Sequence, residues 1–104
     1  MKFTYLCLVS TFSKIRKQLQ ALKPELEKKY PIASLGLFGS VLRSDFSPSS
    51  DVDILVDFNR AIGIEFIDLA NELEEQLHRK VDLVSRNAIK EKYYRAIEHE
   101  IVYV

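Results

Sequence analysis

The octet DVDILVDF at residues 51–58 constrains this chain more than any other segment. Aspartate alternates with valine at its start and the rest is mostly apolar, which marks it as a β-strand, in which residues i and i+2 share a face. Val52, Ile54 and Val56 then form an apolar face that demands cover, while Asp51 and Asp53 point together the other way. Two neighbouring carboxylates repel, and burying either is costly. A hard divalent cation relieves both problems, because Mg²⁺ takes one or two protein carboxylates and completes its shell with water and substrate phosphates. Asp57 shares their parity but lies roughly 13 Å beyond Asp53 at ~3.3 Å per residue, so it belongs to the strand end in solvent.

The flanking segments supply the cover. Phe12, Ile15, Leu19, Leu22 and Leu26 recur at helical spacing. Ser13 is a suitable cap, and Pro24 should break residues 13–29 into two helices or one kinked one. ASLGLF, residues 33–38, reads as a strand, followed by a Gly39–Ser40 turn, a short helix over 40–43 and a loop over 43–50. Gly63 opens a helix with Ile67, Ala70, Leu73 and Leu77 inward, and EEQLHRK ends it with cations at the negative end of the dipole. KVDLVS, residues 80–85, is a third strand. Asn87 should cap a last helix with Ile89, Tyr93 and Ile97 buried, and IVYV closes the chain as a short strand or docked tail. The fold class is therefore α/β or α+β, a small mixed sheet flanked by helices. Residues 1–12 read as an N-terminal extension that the sequence leaves open between an extra strand, a partner-binding edge and a poorly ordered segment, and 13–104 as one domain.

KVDLV carries a third acid in an apolar strand. If that strand lies beside 51–58, Asp82 joins Asp51 and Asp53, and three carboxylates can hold two metal ions about 3.5–4 Å apart, the arrangement used for in-line phosphoryl or nucleotidyl transfer. The Gly39–Ser40 turn complements them. Glycine lets backbone approach a phosphate, a helix start offers unpaired N–H groups, Ser40 adds a hydroxyl, and the Arg43 fork reaches a phosphate oxygen.

The composition narrows the function. The 104 residues hold 15 Lys plus Arg against 15 Asp plus Glu, so net charge is zero and binding to nucleic acid through bulk positive charge is disfavoured. Cys7 is the single cysteine, which forbids an internal disulfide or a cysteine zinc cluster and fits a reducing, cytoplasmic setting. MKFTYLCLVSTF makes a poor signal peptide, and no apolar run approaches the ~20 residues of a membrane span. Ser47, Ser49 and Ser50 read as loop, Glu65, Asp68, His78 and His99 as surface, Cys7 as a small apolar residue, and Tyr93, Tyr94 and Tyr103 as core or partner-facing.

GS, ten residues, then DVD resembles the G-S-x10-D-x-D signature of the DNA polymerase beta nucleotidyltransferase superfamily. With LGLFGS before it, Arg43 three residues after Ser40, and the later KVDLV, the chain from about Leu22 on looks like the minimal nucleotidyltransferase branch, the antitoxins paired with HEPN-domain toxin RNases. That resemblance implies a polymerase-beta-like core. It implies that Gly39 and Ser40 hold a triphosphate and that Asp51 and Asp53 ligate two Mg²⁺. Asp82 would complete the triad as general base. It also implies transfer of AMP from ATP to a tyrosine of a HEPN toxin, in a hetero-oligomer with it. One departure is Ser44, where the family usually has glycine. The alternatives are an antitoxin that silences its toxin by contact alone, and a nucleotidyltransferase acting on RNA or a small molecule, the latter disfavoured by neutral charge and the lack of an appended recognition domain.

Overall fold

The computed structural model describes residues 2–39 and 51–104, the first ten of these by backbone alone. Chain order is α1 (Lys2–Lys29), β1 (Ile32–Phe38), β2 (Val52–Phe58), α2 (Glu65–Leu77), β3 (Val81–Ser85), α3 (Glu91–Ile97), a 3₁₀ turn (Glu98–Glu100) and β4 (Val102–Tyr103). The four strands form one mixed sheet in the order β3-β2-β1-β4. β1 runs antiparallel to both β2 and β4, and β2 runs parallel to β3. This is the α+β architecture of a small mixed sheet with helices that the alternation implies.

Register divides the sheet cleanly. Leu35 and Leu37 of β1 lie opposite Val56 and Ile54 of β2, and Val81 and Leu83 of β3 lie beside Val52 and Ile54. Leu35, Leu37, Val52, Ile54 and Val56 have no exposed surface, and they pack with Ile15, Leu19 and Leu26 of α1 and Leu69, Leu73 and Leu77 of α2. Each such fully buried side chain contributes about 1.5–3 kcal/mol relative to an exposed one, so the face carrying Val52, Ile54 and Val56 fixes which way the acids of β2 must point.

The helices depart from the sequence expectations in several details, among them the end of α2, which stops at Leu77 and has no basic residue in its last turn. α1 is one helix from Lys2 to Lys29 with Pro24 inside it, so of the two expected forms the pair of short helices is excluded and the single helix stands; Ser13 lies mid-helix, and helix also covers residues 2–12. Pro24 removes the N–H that would bond the Gln20 carbonyl, but both residues are exposed and water can serve that carbonyl. Leu19 and Leu26 on the opposite side stay in the core and hold the helix together across the interruption. In α2 the inward face is Leu69, Leu73 and Leu77, while Ile67 is 59% exposed. At 3.6 residues per turn Ile67 sits about 120° around the helix from Leu73. α3 starts only at Glu91, with extended Lys90 before it in place of Asn87 as cap. Tyr93 is consequently 59% exposed, and its neighbour Tyr94 is the half-buried one.

The second face of the sheet carries Phe38, Asp53 and Asp82 in one row and Tyr103, Gly36, Leu55 and Val84 in the next. The chain crosses this face from the β3 edge to the β4 edge. Ile101 and Tyr103 press against Gly36, where an added Cβ would sit 2.5 Å from Ile101 Cγ2. Val104 N–H donates to the Leu35 carbonyl at 2.9 Å, and Lys23 Nζ donates to the Val104 carbonyl at 2.8 Å, which ties the tail to β1 and α1. Among the described residues no helix is long and apolar enough to cross a membrane.

Candidate active site

β1 ends, and β2 and β3 begin, at one end of the second face. There the parallel register sets Asp53 directly beside Asp82. Neighbouring strands lie about 4.8 Å apart, and facing residues of a parallel pair point to the same side. The condition attached to Asp82, that its strand neighbour 51–58, is met. Asp53 is half-buried and Asp82 exposed. Asp51 stands one residue before β2 and is exposed. Among the described residues no three His, Cys, Asp or Glu side chains stand together as a ready metal cage. Mg²⁺ does not require one, since it is commonly held by one or two carboxylates with substrate phosphates and water. The hard oxygen donors at this sheet end fit that cation.

Gly39 is the strongest local feature of the site. It follows Phe38, which pairs with Asp53 across β1 and β2, and its φ is +75°. A Cβ at this position would run into Asp53 Oδ2. The glycine therefore does two things: it turns the chain out of β1 in the left-handed region that favours glycine, and it lets backbone lie against the Asp53 carboxylate. Sequence reasoning assigned Gly39 to phosphate approach and missed this second contact; the cross-strand pairing that creates it is not visible before the register is known. Ser40, Arg43 and Ser44, with the short helix over 40–43 and the loop over 43–50, lie outside the described residues.

The start of β3 is anchored from two directions. Val52 N–H donates to the Lys80 carbonyl at 2.9 Å, opening the parallel ladder. Val81 N–H donates to Glu74 Oε2 at 3.0 Å. Glu74 belongs to the charged end of α2, and no spacing rule marks it, because its partner is a backbone group seven residues on. His78 turns the chain at the end of α2 in the left-handed region, its own N–H donating to the Glu74 carbonyl.

Away from this end the polar groups serve structure. Tyr30 O–H donates to Glu72 Oε1 at 3.1 Å and Lys29 Nζ lies 3.0 Å from Glu72 Oε2, joining α1 to α2. Burial and then the Glu72 carboxylate push the Tyr30 phenol up to about 12. Arg86 lies 3.6 Å over the Tyr94 ring and pairs with Glu91 at 3.1 Å, a bond that holds its guanidinium in the charged form. The Tyr103 phenol is raised by its bond with Tyr94 and then by burial. Glu65 accepts from Gly63 N–H at 3.0 Å; bonds from its own N–H and that of Gly63 lower its pKa. Asp57 is half-buried opposite Ser34, and Asp68, His78 and His99 are exposed.

The chain matches the family model described as "Nucleotidyltransferase domain" over residues 19–104. It is 38% identical over 95 residues to protein adenylyltransferase MntA of Thermococcus cleftensis, covering 90% of this chain and 96% of the relative. It is 37% identical over 98 residues to a Methanocaldococcus jannaschii protein provisionally named a protein adenylyltransferase, covering 92% of this chain and all of the relative. Among solved structures it is similar to a mutant form of the toxin–antitoxin MntA–HpeT, with a TM-score of 0.54 and 26% identity. That match covers 76% of this chain and 60% of the other, so this chain spans less than two thirds of that one.

Proposed function

The chain belongs to the nucleotidyltransferase domain family, and from that membership we propose that it is a Mg²⁺-dependent protein adenylyltransferase that moves AMP from ATP to a tyrosine hydroxyl of a HEPN-type toxin and so acts as its antitoxin. The observation that carries the reading is the side-by-side register of Asp53 and Asp82 with the Gly39 backbone against Asp53. The relatives named protein adenylyltransferase and the toxin–antitoxin neighbour support a protein acceptor over RNA or a small molecule.

In this reading Asp51, Asp53 and Asp82 would hold two Mg²⁺ ions. Bound there, the ions would lower the pKa of the attacking hydroxyl and neutralise the leaving pyrophosphate. The Gly39–Ser40 backbone and the Ser40 hydroxyl orient the triphosphate, and Arg43 takes a phosphate oxygen. Asp82 accepts the acceptor hydroxyl's proton as its oxygen bonds to the α-phosphorus and the bond to pyrophosphate breaks. Val52 and Ile54 on either side of Asp53 are locked in the core, which fixes the backbone from which its carboxylate projects.

Intact mass of a partner HEPN toxin after incubation with this protein, Mg²⁺ and ATP tests the proposal. A gain of whole AMP units, lost with Asp51→Asn and Asp53→Asn, is the expected result. A stable complex that neutralises the toxin without any mass gain would replace it with an antitoxin acting by contact.

A further inference from the structure

We propose that Glu74 is a positioning residue for the metal site, acting through the backbone of β3 on Asp82; this rests on the reading that Asp82 helps hold the cation. Among the described residues β3 is an edge strand, paired on one side with β2. An edge strand of five residues is held weakly at its ends, and Asp82 is its second residue. The Val81 N–H, immediately before Asp82, donates to Glu74 Oε2 at 3.0 Å in a partly buried setting. The same residue's backbone carbonyl accepts the N–H of His78 and, at 3.4 Å, that of Arg79. One residue in the last turn of α2 thus fixes the whole turn into β3 and the peptide unit from which the Asp82 carboxylate projects. Leu73 and Leu77, on either side of Glu74 in α2, are fully or nearly fully buried, so the helix is a rigid base for that bond. Groups that orient metal ligands without touching the metal typically change affinity 10–100-fold when removed.

The bond needs an acceptor at the reach of a glutamate, not a charge, and this separates the variants. Glu74→Gln keeps the amide oxygen at the same length. Glu74→Asp keeps the charge but withdraws the carboxylate by one methylene. Mn²⁺ binding to the purified protein in the presence of a non-hydrolysable ATP analogue, followed by electron paramagnetic resonance, reads the site with its phosphates supplied and without turnover. Glu74→Asp should weaken Mn²⁺ binding about tenfold, and Glu74→Gln should bind as wild type. Hydrogen exchange at the Val81 amide should quicken in Glu74→Asp alone. Asp82→Asn, run beside them, tests the parent reading. If Asp82→Asn weakens Mn²⁺ binding while Glu74→Asp does not, the positioning role of Glu74 is wrong and the site stands. The reverse pattern of variants, with Gln impaired and Asp normal, means that charge acts and the hydrogen bond does not. If Asp82→Asn binds as wild type, or wild type binds no Mn²⁺, the parent reading fails and this one with it.

Discussion

Gly39→Ala should damage stability and chemistry by two separable routes. Its φ of +75° lies in the left-handed region, where an L-residue costs roughly 1–2 kcal/mol. For a domain of this size that corresponds to a Tm lower by roughly 5–15 °C. The second route is steric. The alanine Cβ would occupy the place of Asp53 Oδ2, and β2 cannot retreat because Val52, Ile54 and Val56 are fully buried. The Asp53 carboxylate must rotate away, and under the proposed function its misplacement by about an ångström would cost on the order of 100-fold in rate. Gly39→Asn separates the routes, since asparagine tolerates the left-handed region but brings the same Cβ. Circular dichroism melts should show Asn recovering most of the stability lost by Ala. AMP transfer, followed by partner mass, should fall about 100-fold in both. An alanine variant with wild-type melting and wild-type transfer would refute the placement of the Gly39 backbone against Asp53.

Three further outcomes follow from bonds elsewhere in the fold. Tyr30 has its phenol raised to about 12 from 10.0, so its neutral form stabilises the fold below pH 10, and this contribution is lost as pH rises through 12; denaturant titrations across that interval should show a steeper decline for wild type than for Tyr30→Phe, and equal slopes would deny the bond to Glu72. Arg86→Lys should lose about as much stability as Arg86→Met, because the ammonium lacks the flat face that stacks on Tyr94; full rescue by lysine in urea melts would argue that only charge matters there. Gly36→Ala would bring its Cβ within 2.5 Å of Ile101 Cγ2, so it should cost about 1–3 kcal/mol and quicken hydrogen exchange at Val104, with Ile101→Ala restoring both.

How far the sequence alone leads depends on whether a feature is local or relational. DVDILVDF is read as a strand because the alternation of aspartate and valine at its start is a local signal, and in the strand observed, Val52–Phe58, Val52, Ile54 and Val56 share the buried face while Asp53 and Asp57 flank the buried Leu55 on the other. The inward face of α2 is harder, because Ile67 and Leu69 are both apolar: Leu69 lies four residues before Leu73, and Ile67 reaches it in two steps of three through Ala70. Only the packing against the sheet chooses Leu69, in line with the rule that tertiary contacts override intrinsic preference. Pro24 shows the same override in α1, where the buried leucines on the far side outweigh one missing bond. The pairing of Asp53 with Asp82 is relational. Two strands, each with an acid at its second regular position, could lie side by side in several registers, and a slip of one residue turns every side chain to the other face. Burial resolves that choice. With Val52 and Ile54 required on the helix-covered side, β3 can present Val81 and Leu83 beside them only if Asp82 comes to the side of Asp53. The acids are thus brought together by the hydrophobic pattern of their own strands. Substituting Val81 or Leu83 by a polar residue should therefore loosen the site as well as the core.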